Sequence, residues 1–551
     1  MQEKNILSIN FNHDGSGVIL SNGVIKAYLN TERFSKKKKH PGIRREDLDN
    51  LLDQAGMQLG DLGMVILCNI NTMDSPDIPF LYGTSLKETF LDVWVHHSMK
   101  KLLIDGVEIP CIINPDHQLL HCSLAYYTSP FDEAMCFSWD PTGFGAFIGK
   151  GNKMIPLGYS LSHFNKTEWY YNVSAALFGT GIEGAGKVMG LAPYGGLNNE
   201  QLLTVEQVAG MEELYELSGN GNSRIIEENG KQLNATLAFN VQQLLEEQLC
   251  TVLADLYKIA GEKGIKPNIC LSGGGALNSV ANQVAFRNSR FERIHLHPAS
   301  GDDGTAIGAA LYHWFDELDN ERRPFTNRQM MYSIRTYDDK VEQLIEQPQY
   351  KDAFLTDRTP DYIRRTAEHL ANGKIVGWFQ GASEIGPRAL GNRSILADPR
   401  NPEMKDILNR KVKFREGFRP FAPSVLNEHA EQWFGLKDSP FMLRVCDVLE
   451  DSVPAISHVD HTARIQTVSP EDNATYYQLI KCFYELTGVP LLINTSFNIK
   501  GEPIVETPED ALRCFLNTGL DLLVFRNVVL EKQRTPAFIT ASTPELQTAR
   551  S

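Results

Sequence analysis

The sequence predicts an α/β protein, and three observations carry that expectation. Residues 5–31, NILSINFNHDGSGVILSNGVIKAYLNT, read as three strands: an apolar run, a polar turn at HDGSG, a second apolar run, a hairpin turn at Asn22 and Gly23, and a third strand. Residues 134–160, AMCFSWDPTGFGAFIGKGNKMIPLGYS, repeat that layout, with the first strand ending at Asp140, which indicates internal duplication. Two further stretches, NICLSGGGALNSVAN and GDDGTAIGAALYHWF near residue 301, each lead through glycine into a helix. The second of these carries carboxylates in the first helical turn, where the helix dipole favours them. Strand, glycine turn and helix N-terminus in succession are the arrangement that holds nucleotide phosphates.

The remaining elements follow from periodicity. Helical spacing of apolar residues fills roughly 165–265, ending in VQQLLEEQLCTVLADLYKIAGEKG. Residues 320–360 turn polar and proline-containing, so the domain junction is placed there. The resulting division is 1–345, 346–535 and a loose tail at 536–551.

Composition narrows the function classes. The 551 residues are 42% hydrophobic and 22% charged, which supports two or three domains with real cores and excludes a disordered chain. No window offers about 18 uninterrupted apolar residues, and MQEKNILSIN lacks the layout of a signal peptide, so a cytoplasmic protein without a membrane partner is expected. Nine cysteines stand singly in hydrophobic stretches with no CxxC pair, a usage that suits buried thiols in a reducing compartment. A formal charge of −15 argues against a broad nucleic-acid surface. Oligomeric state is not encoded legibly, and a homodimer is left open.

His117 and His121 in HQLLH lie at i and i+4, which on a helix places both imidazoles on one face, as for a shared transition metal. The alternative is a pair of hydrogen-bonded core histidines. Asp140 at a strand end and Asp302 or Asp303 at a helix start supply carboxylates; two histidines with one or two carboxylates suit Fe(II), Mn(II) or Zn(II). Lys187 in GIEGAGKVMGLAPYGG is placed to cover a phosphate or sits in a glycine-rich surface turn. In SGGGALN, glycines allow backbone to approach a ligand, and Asn278 can bond a sugar or base; the alternative is a tight strand-to-helix turn.

Between Arg388 and Arg419 nine basic residues face four acidic ones, a reversal of sign in an acidic chain. A solvated charged helix accounts for Lys405 to Lys413. It does not account for the arginines of GPRALGNRS and GFRPFAPS, where rigid backbone aims a bidentate guanidinium at phosphate or carboxylate. VPLLINTSFNIKGEPIVETP is a buried strand ending in Asn494, Thr495 and Ser496, the end at which α/β sheets bind ligands; the alternative is a turn capped by its own side chains. HVDHTARIQTV adds Arg464.

Together NFNHDGS, TERFSKKKKH, HQLLH, GKVMGLAPYG, SGGGALN, GDDGTAIGAAL, EIGPRALGNRSILADPR, KFREGFRPFAPS and NTSFNIKGEPIV, in this order over about residues 5–530, resemble the O-carbamoyltransferases of the nodulation-factor and aminoglycoside type. The resemblance implies a duplicated actin-like ATPase domain similar to the tRNA threonylcarbamoyl-transfer protein, followed by a YrdC-like α/β domain. It implies that carbamoyl phosphate and Mg-ATP yield carbamoyl adenylate in the second domain, and that a small-molecule alcohol accepts the carbamoyl group in the first. Carried over by motif, His117, His121, Asp140 and Asp302 match metal ligands, with Fe(II) the expected ion. His13 matches the base beside the acceptor hydroxyl, with Asp14 next to it and Lys39 near the transferred group. Lys187, Gly274, Gly275 and Asn278 match the adenylate pocket, and Arg388, Lys413, Arg419, Asn494 and Ser496 the grip on carbamoyl phosphate and ATP. Departures from the pattern are DPTG after the third metal strand, Asp303 beside Asp302, and His461 where glycine is usual. Two other readings are a tRNA threonylcarbamoyl-modifying enzyme, which the acidity disfavours, and an actin-like ATP-binding scaffold without catalysis. The acceptor class is open among aminoglycosides, polyketide hydroxyls, lipo-oligosaccharides and alkaloid alcohols.

Overall fold

The duplicated hairpins become duplicated sheets. In the computed structural model, which describes residues 4–69, 92–96, 99–114, 116–158, 166–196, 210–219, 223–228, 230–350 and 352–533, the first sheet is built on β1 (Asn5–Asn10), β2 (Ser16–Ser21), β3 (Val24–Asn30) and β4 (Met64–Cys68), followed by β5 (Asp92–His96), β6 (Met99–Ile104) and β7 (Val107–Asn114). Its order is β3-β2-β1-β4-β7-β6-β5. The second sheet uses β8 (Glu133–Asp140), β9 (Gly143–Lys150) and β10 (Lys153–Pro156), then skips a separate hairpin, β11 (Ile225–Glu228) and β12 (Lys231–Asn234), to reach β13 (Asn268–Ser272) and β14 (Arg293–Leu296). Its order, β10-β9-β8-β13-β14, matches the first five positions of the other sheet. In both, three antiparallel strands are followed by two parallel ones. β1, β2, β4 and β8 are buried along nearly their whole length, as strands covered by helices on both faces must be.

Helices His117–Thr128 and Thr305–Tyr312 pack between the two sheets, burying Leu120, Leu124, Ile307 and Leu311 in one core. The approach is close enough that a Cβ on Gly308 would strike the Leu120 carbonyl, so the small-residue run AIGAA permits the crossing. The crossing brings the start of the first helix, with His117 and His121, to the Asp302–Gly304 turn that precedes the second.

The expected helical stretch resolves into Lys166–Phe178, Ala185–Gly195, Met211–Gly219 and the long Ala235–Lys263, but the β11–β12 hairpin interrupts it. The third sheet has eight strands, in the order Phe354–Arg358, Val528–Lys532, Leu522–Phe525, Val376–Phe379, Arg393–Ala397, Leu491–Ser496, Ala422–Leu426 and Gln466–Val468, around a core of its own. The junction does not divide the chain at 345. Helix Asp338–Ile345 buries Val341, Leu344 and Ile345 in the core of the third sheet, whereas Met330, Met331 and Tyr332 bury with the first half. The tail expected at 536–551 lies outside the described residues. Eight cysteines are buried and Cys250 is half-buried, all of them free thiols. Among the described residues no helix is long and apolar enough to cross a membrane.

Candidate functional site

β1 ends at Asn10, β8 at Asp140, and the two packed helices begin at His117 and Thr305, so four chain segments deliver polar side chains to one point between the sheets. There the Nε2 atoms of His117 and His121 lie 3.1 Å apart with their rings at 85°. Asp140 Oδ2 is 2.9 Å from His117 Nε2 and 3.9 Å from His121 Nε2, while Asp302 Oδ1 is 3.6 and 3.5 Å from the same two atoms. Donors around one ion with bonds of about 2.1 Å stand roughly 3.0–3.4 Å apart when adjacent and about 4.2 Å when opposite, so His117, His121 and Asp140 are spaced for a shared cation, with Asp302 beside both imidazoles. Two imidazoles and two carboxylates suit a divalent transition metal. Among the described residues, His117, His121 and Asp140 form the group able to hold a metal by the closeness of their ligand atoms.

Each carboxylate turns one oxygen toward the histidines, Asp140 Oδ2 also accepting from Gln118 Nε2 at 2.8 Å, and gives the other to polar neighbours. Asp140 Oδ1 accepts hydrogen bonds from the Thr142 N–H at 2.7 Å, the Gly143 N–H at 3.0 Å and the Thr142 hydroxyl. The DPTG turn therefore holds Asp140 in place. Asp302 Oδ2 accepts from Asn12 Nδ2 at 2.9 Å, and Asn69 Oδ1 meets His117 Nδ1 at 2.8 Å, which fixes that ring. Asn69 is in turn held by Asn10. Asn10, Asn12, Asn69, Gln118 and Thr142 were not singled out from the sequence, although NFNHDGS contains the first two, HQLLH contains Gln118 and DPTG contains Thr142. Burial opposes ionisation of Asp140, but the His117 hydrogen bond, the charges of both imidazoles and the Thr142 bond together hold the carboxyl at about 2. Asp302 is likewise held below the usual carboxylate range, against burial, by the His121 bond and the neighbouring imidazoles. Asp303 behaves oppositely: burial, with Asp14 nearby, pushes it up to about 7. The geometry puts Asp302, not Asp303, against the histidines.

His13, Asp14 and Lys39 meet on the rim of this cluster. His13 Nδ1 is 3.0 Å from Asp14 Oδ2, Lys39 Nζ donates to the same oxygen at 2.5 Å, and His13 Nε2 lies 3.5 Å from Asp302 Oδ2. The His13 side chain is 35% exposed while His121 is fully buried, so His13 is the imidazole an incoming molecule meets. Asp14 and Lys39 both adopt left-handed backbone, at φ 62° and 58°, a strained choice for non-glycine residues that recurs at functional sites. Burial lowers the His13 pKa, but its Asp14 bond and the Asp302 charge leave it raised overall.

The segment 273–279 runs from this cluster to a second site. A Cβ on Gly274 would lie 3.9 Å from Asp140 Cβ. Gly273, at φ 86°, and Gly275 are required for another reason than ligand approach: a Cβ at either would strike Trp139. Asn278 is engaged within the protein, capping helix Ser279–Asn288 through the Ala281 N–H and exchanging hydrogen bonds with Gln242. Just beyond it a cavity of about 270 Å³ opens between the two halves. Its second-half wall carries Arg388, Arg415, Arg419, Arg464, Asn494 and Ser496. Burial, then the mutual repulsion of these guanidinium groups, pushes Arg388 down to about 10 and Arg464 below the usual arginine range. Nε of Arg388 and Nε of Arg464 are buried without a hydrogen-bond partner among the described residues. Arg388 Nη2 reaches the Leu277 carbonyl at 3.4 Å and Arg419 pairs with Glu416 at 3.6 Å, yet crowded arginines with buried, unpartnered Nε atoms call for an anion.

Lys413 stands apart from that wall. Its side chain is 4% exposed, and its ammonium donates to the Ser496 carbonyl at 2.8 Å, the Ser496 hydroxyl at 3.2 Å, and the Asn498 carbonyl and amide oxygens at 3.0 and 2.5 Å. It is a buried strut at the end of a strand, neither a solvated helix residue nor free to grip a phosphate. Arg415 and Arg464 line the cavity instead. Lys187 pairs with Glu416 at 3.5 Å across the two halves. Nearby, Phe418 packs on Phe178 and Tyr194, and the Gly417 N–H donates to Glu228 of the β11–β12 hairpin at 3.1 Å.

A further link crosses between halves through helix Thr31–Ser35. Arg33 Nη2 donates to the Gly386 carbonyl at 2.7 Å, Lys36 pairs with Asp510, and Lys39 follows at the His13 cluster.

Residues 5–311 match the family model described as the carbamoyltransferase N-terminus, and residues 367–532 the one described as the carbamoyltransferase C-terminus. An uncharacterized protein of Synechocystis sp. is 33% identical across 95% of this chain and 96% of its own. The nodulation protein NolNO of Sinorhizobium fredii is 34% identical across 95% of this chain and 79% of its own. Among solved structures, the activator of the 2-hydroxyisocaproyl-CoA dehydratase from Clostridium difficile covers 57% of this chain and 94% of its own at 16% identity and a TM-score of 0.32, too remote a likeness to carry an argument.

Proposed function

This chain belongs to the carbamoyltransferase family, and on that premise we propose that it moves the carbamoyl group of carbamoyl phosphate, through carbamoyl adenylate, onto a hydroxyl of a small-molecule acceptor. The observation that carries this reading is the single short segment, 273–279, with the histidine–aspartate cluster at one end and the arginine-lined cavity at the other. Two sites for two half-reactions are thereby joined by a few residues of backbone.

In the cavity, the arginines let two anionic substrates share one space, a matter of positioning and charge neutralisation. Carbamoyl phosphate loses its phosphate to water, and an oxygen of the resulting carbamate attacks the α-phosphorus of ATP and expels pyrophosphate. The second half acts here as the YrdC-like partner of an actin-like first half. Retaining the activated carbamoyl group inside the protein limits its hydrolysis. At the cluster, His117, His121, Asp140 and Asp302 would hold a divalent cation, Fe(II) by resemblance with Mn(II) or Zn(II) suited to the same donors. Such an ion would supply positive charge to stabilise the phosphate of the departing AMP. His13 takes the proton of the acceptor hydroxyl as its oxygen bonds to the carbamoyl carbon and AMP departs; Asp14 orients the imidazole and Lys39 neutralises the carboxylate.

Purified protein incubated with ATP, carbamoyl phosphate and a panel of alcohols is expected to release AMP and pyrophosphate, and mass spectrometry to find a carbamoyl ester of one alcohol. Arg388→Ala and Arg419→Ala are expected to abolish AMP formation. ATP-to-AMP turnover unchanged in both variants would sink the mechanism and favour the scaffold reading.

A further inference from the structure

The first-half wall of the cavity is unlike the second. On one face of helix Ala235–Lys263, Phe239, Gln242, Gln243 and Glu246 recur at helical spacing and line the space opposite the arginines. Glu246 is only 7% exposed. Its Oε1 accepts from Gln242 Nε2 at 2.7 Å and its Oε2 from Gln243 Nε2 at 3.3 Å. Gln242 is itself fixed, accepting from the Tyr170 hydroxyl and from Asn278, each at 2.9 Å. The network therefore holds a carboxylate rigidly at the cavity wall with acceptor capacity to spare, since an ionised carboxylate offers about four lone-pair sites.

No lysine or arginine among the described residues pairs with Glu246; the charge that acts on it is that of Asp460, which also lines the cavity. Burying an unpaired carboxylate opposes folding, so its presence points to a ligand that donates hydrogen bonds. Burial, with Asp460 adding to it, pushes the carboxyl up to about 7 despite the Gln242 bond, in keeping with a group left short of partners until a ligand arrives. Phe239, Met189 and Met442 supply apolar surface in the same cavity.

Anion-binding arginines on one wall, an apolar patch, and a pure acceptor on the other wall describe three parts of one molecule. Resting on the reading of the cavity as the adenylate-forming site, we propose that Glu246 accepts hydrogen bonds from the vicinal ribose hydroxyls of the nucleotide, so that the first half of the chain selects a ribonucleotide for chemistry carried by arginines of the second. A diol presents two donors to two carboxylate oxygens. The adenine edge is a poorer match, because its amino donor stands beside a ring-nitrogen acceptor that a carboxylate repels. Glu246 is thus a specificity residue that touches substrate, with Gln242 and Gln243 positioning it.

The test uses the full-length protein with saturating carbamoyl phosphate, reading pyrophosphate release from ATP, 2′-deoxy-ATP and 3′-deoxy-ATP. For the unaltered protein the deoxy analogues are expected to raise KM about 10- to 100-fold, the worth of hydrogen bonds to a charged group. Glu246→Gln keeps the shape and replaces one acceptor oxygen by a donor; it is expected to raise KM for ATP by a similar factor and to bring the analogues within about 3-fold of ATP. Glu246→Asp keeps the charge but withdraws it by one methylene and is expected to fall between; it serves as the readout if the glutamine variant does not fold. Discrimination by the variants equal to that of the unaltered protein overturns the proposal. Absence of pyrophosphate release from the unaltered protein overturns the adenylate reading itself, and the proposal with it.

Discussion

Replacing Arg33 by methionine removes a charge that the first half of the chain buries inside the second. Arg33 is 4% exposed; its Nη2 donates to the Gly386 carbonyl at 2.7 Å and its Nη1 lies 3.8 Å from Oε2 of Glu506, itself 3% exposed. Methionine preserves most of the stem, so the loss is electrostatic rather than a cavity. A hydrogen bond from a charged donor to a buried carbonyl contributes about 1.5–3 kcal/mol. Leaving a buried partner charge alone costs about 3–5 kcal/mol for a tight pair. Here the pair is long, and Glu506 keeps hydroxyl donors in Tyr337 at 3.2 Å and Ser383 at 3.1 Å, which places the total near the lower bound, about 3 kcal/mol. Urea unfolding followed by tryptophan fluorescence is expected to show that loss, and a double-mutant cycle with Glu506→Gln a coupling of about 1 kcal/mol. Because Gly386 leads directly into Pro387 and Arg388 at the cavity, pyrophosphate release is expected to fall as well. Stability within about 0.5 kcal/mol of the unaltered protein, or strict additivity in the cycle, would refute the reasoning.

Gly275→Ala drives a methyl group into the buried indole of Trp139 and is expected to destabilise by about 1–3 kcal/mol, read as a lower urea midpoint. His117→Ala combined with His121→Ala is expected to remove bound metal, measured by elemental analysis, and acceptor carbamoylation, while sparing pyrophosphate release; loss of both activities would assign the pair a structural role. Burial, with the Asp460 charge adding to it, raises the Glu246 carboxyl to about 7, and the ionised form is the one that accepts from a diol. The KM for ATP is therefore expected to climb as pH falls through 7, approaching tenfold per unit, and to level off above it. In Glu246→Gln that limb should vanish; its persistence would assign the pH effect to the nucleotide or another group.

What could be read in advance was local. The duplicated hairpins show as runs of strand residues punctuated by turns, and His117 with His121 as a four-residue spacing, because both signals are carried by neighbours in sequence. The orienting asparagines could not be found that way: Asn69 reaches His117 only because β4 and β7 pair. Lys413 looked like part of a solvated helix, yet the π-turn Asn409–Lys413 rotates it inward onto Ser496 and Asn498. Glu246 was one acidic residue in a long amphipathic helix until that helix formed a cavity wall. The β11–β12 hairpin escaped notice because its strands are four residues each, too short for a period to register.

The docking of Phe418 on Phe178 and Tyr194, with Glu228 on the Gly417 backbone and Lys187 on Glu416, bears on how such a chain can be rearranged. Neither half encloses the arginine-lined space alone, so a chimera joining the first half of one relative to the second half of another must inherit both sides of this seam. Co-expressed halves would have to meet at the millimolar local concentrations that a covalent link provides. The exchangeable unit is then the matched pair, and sequence drift on one face of the seam constrains drift on the other.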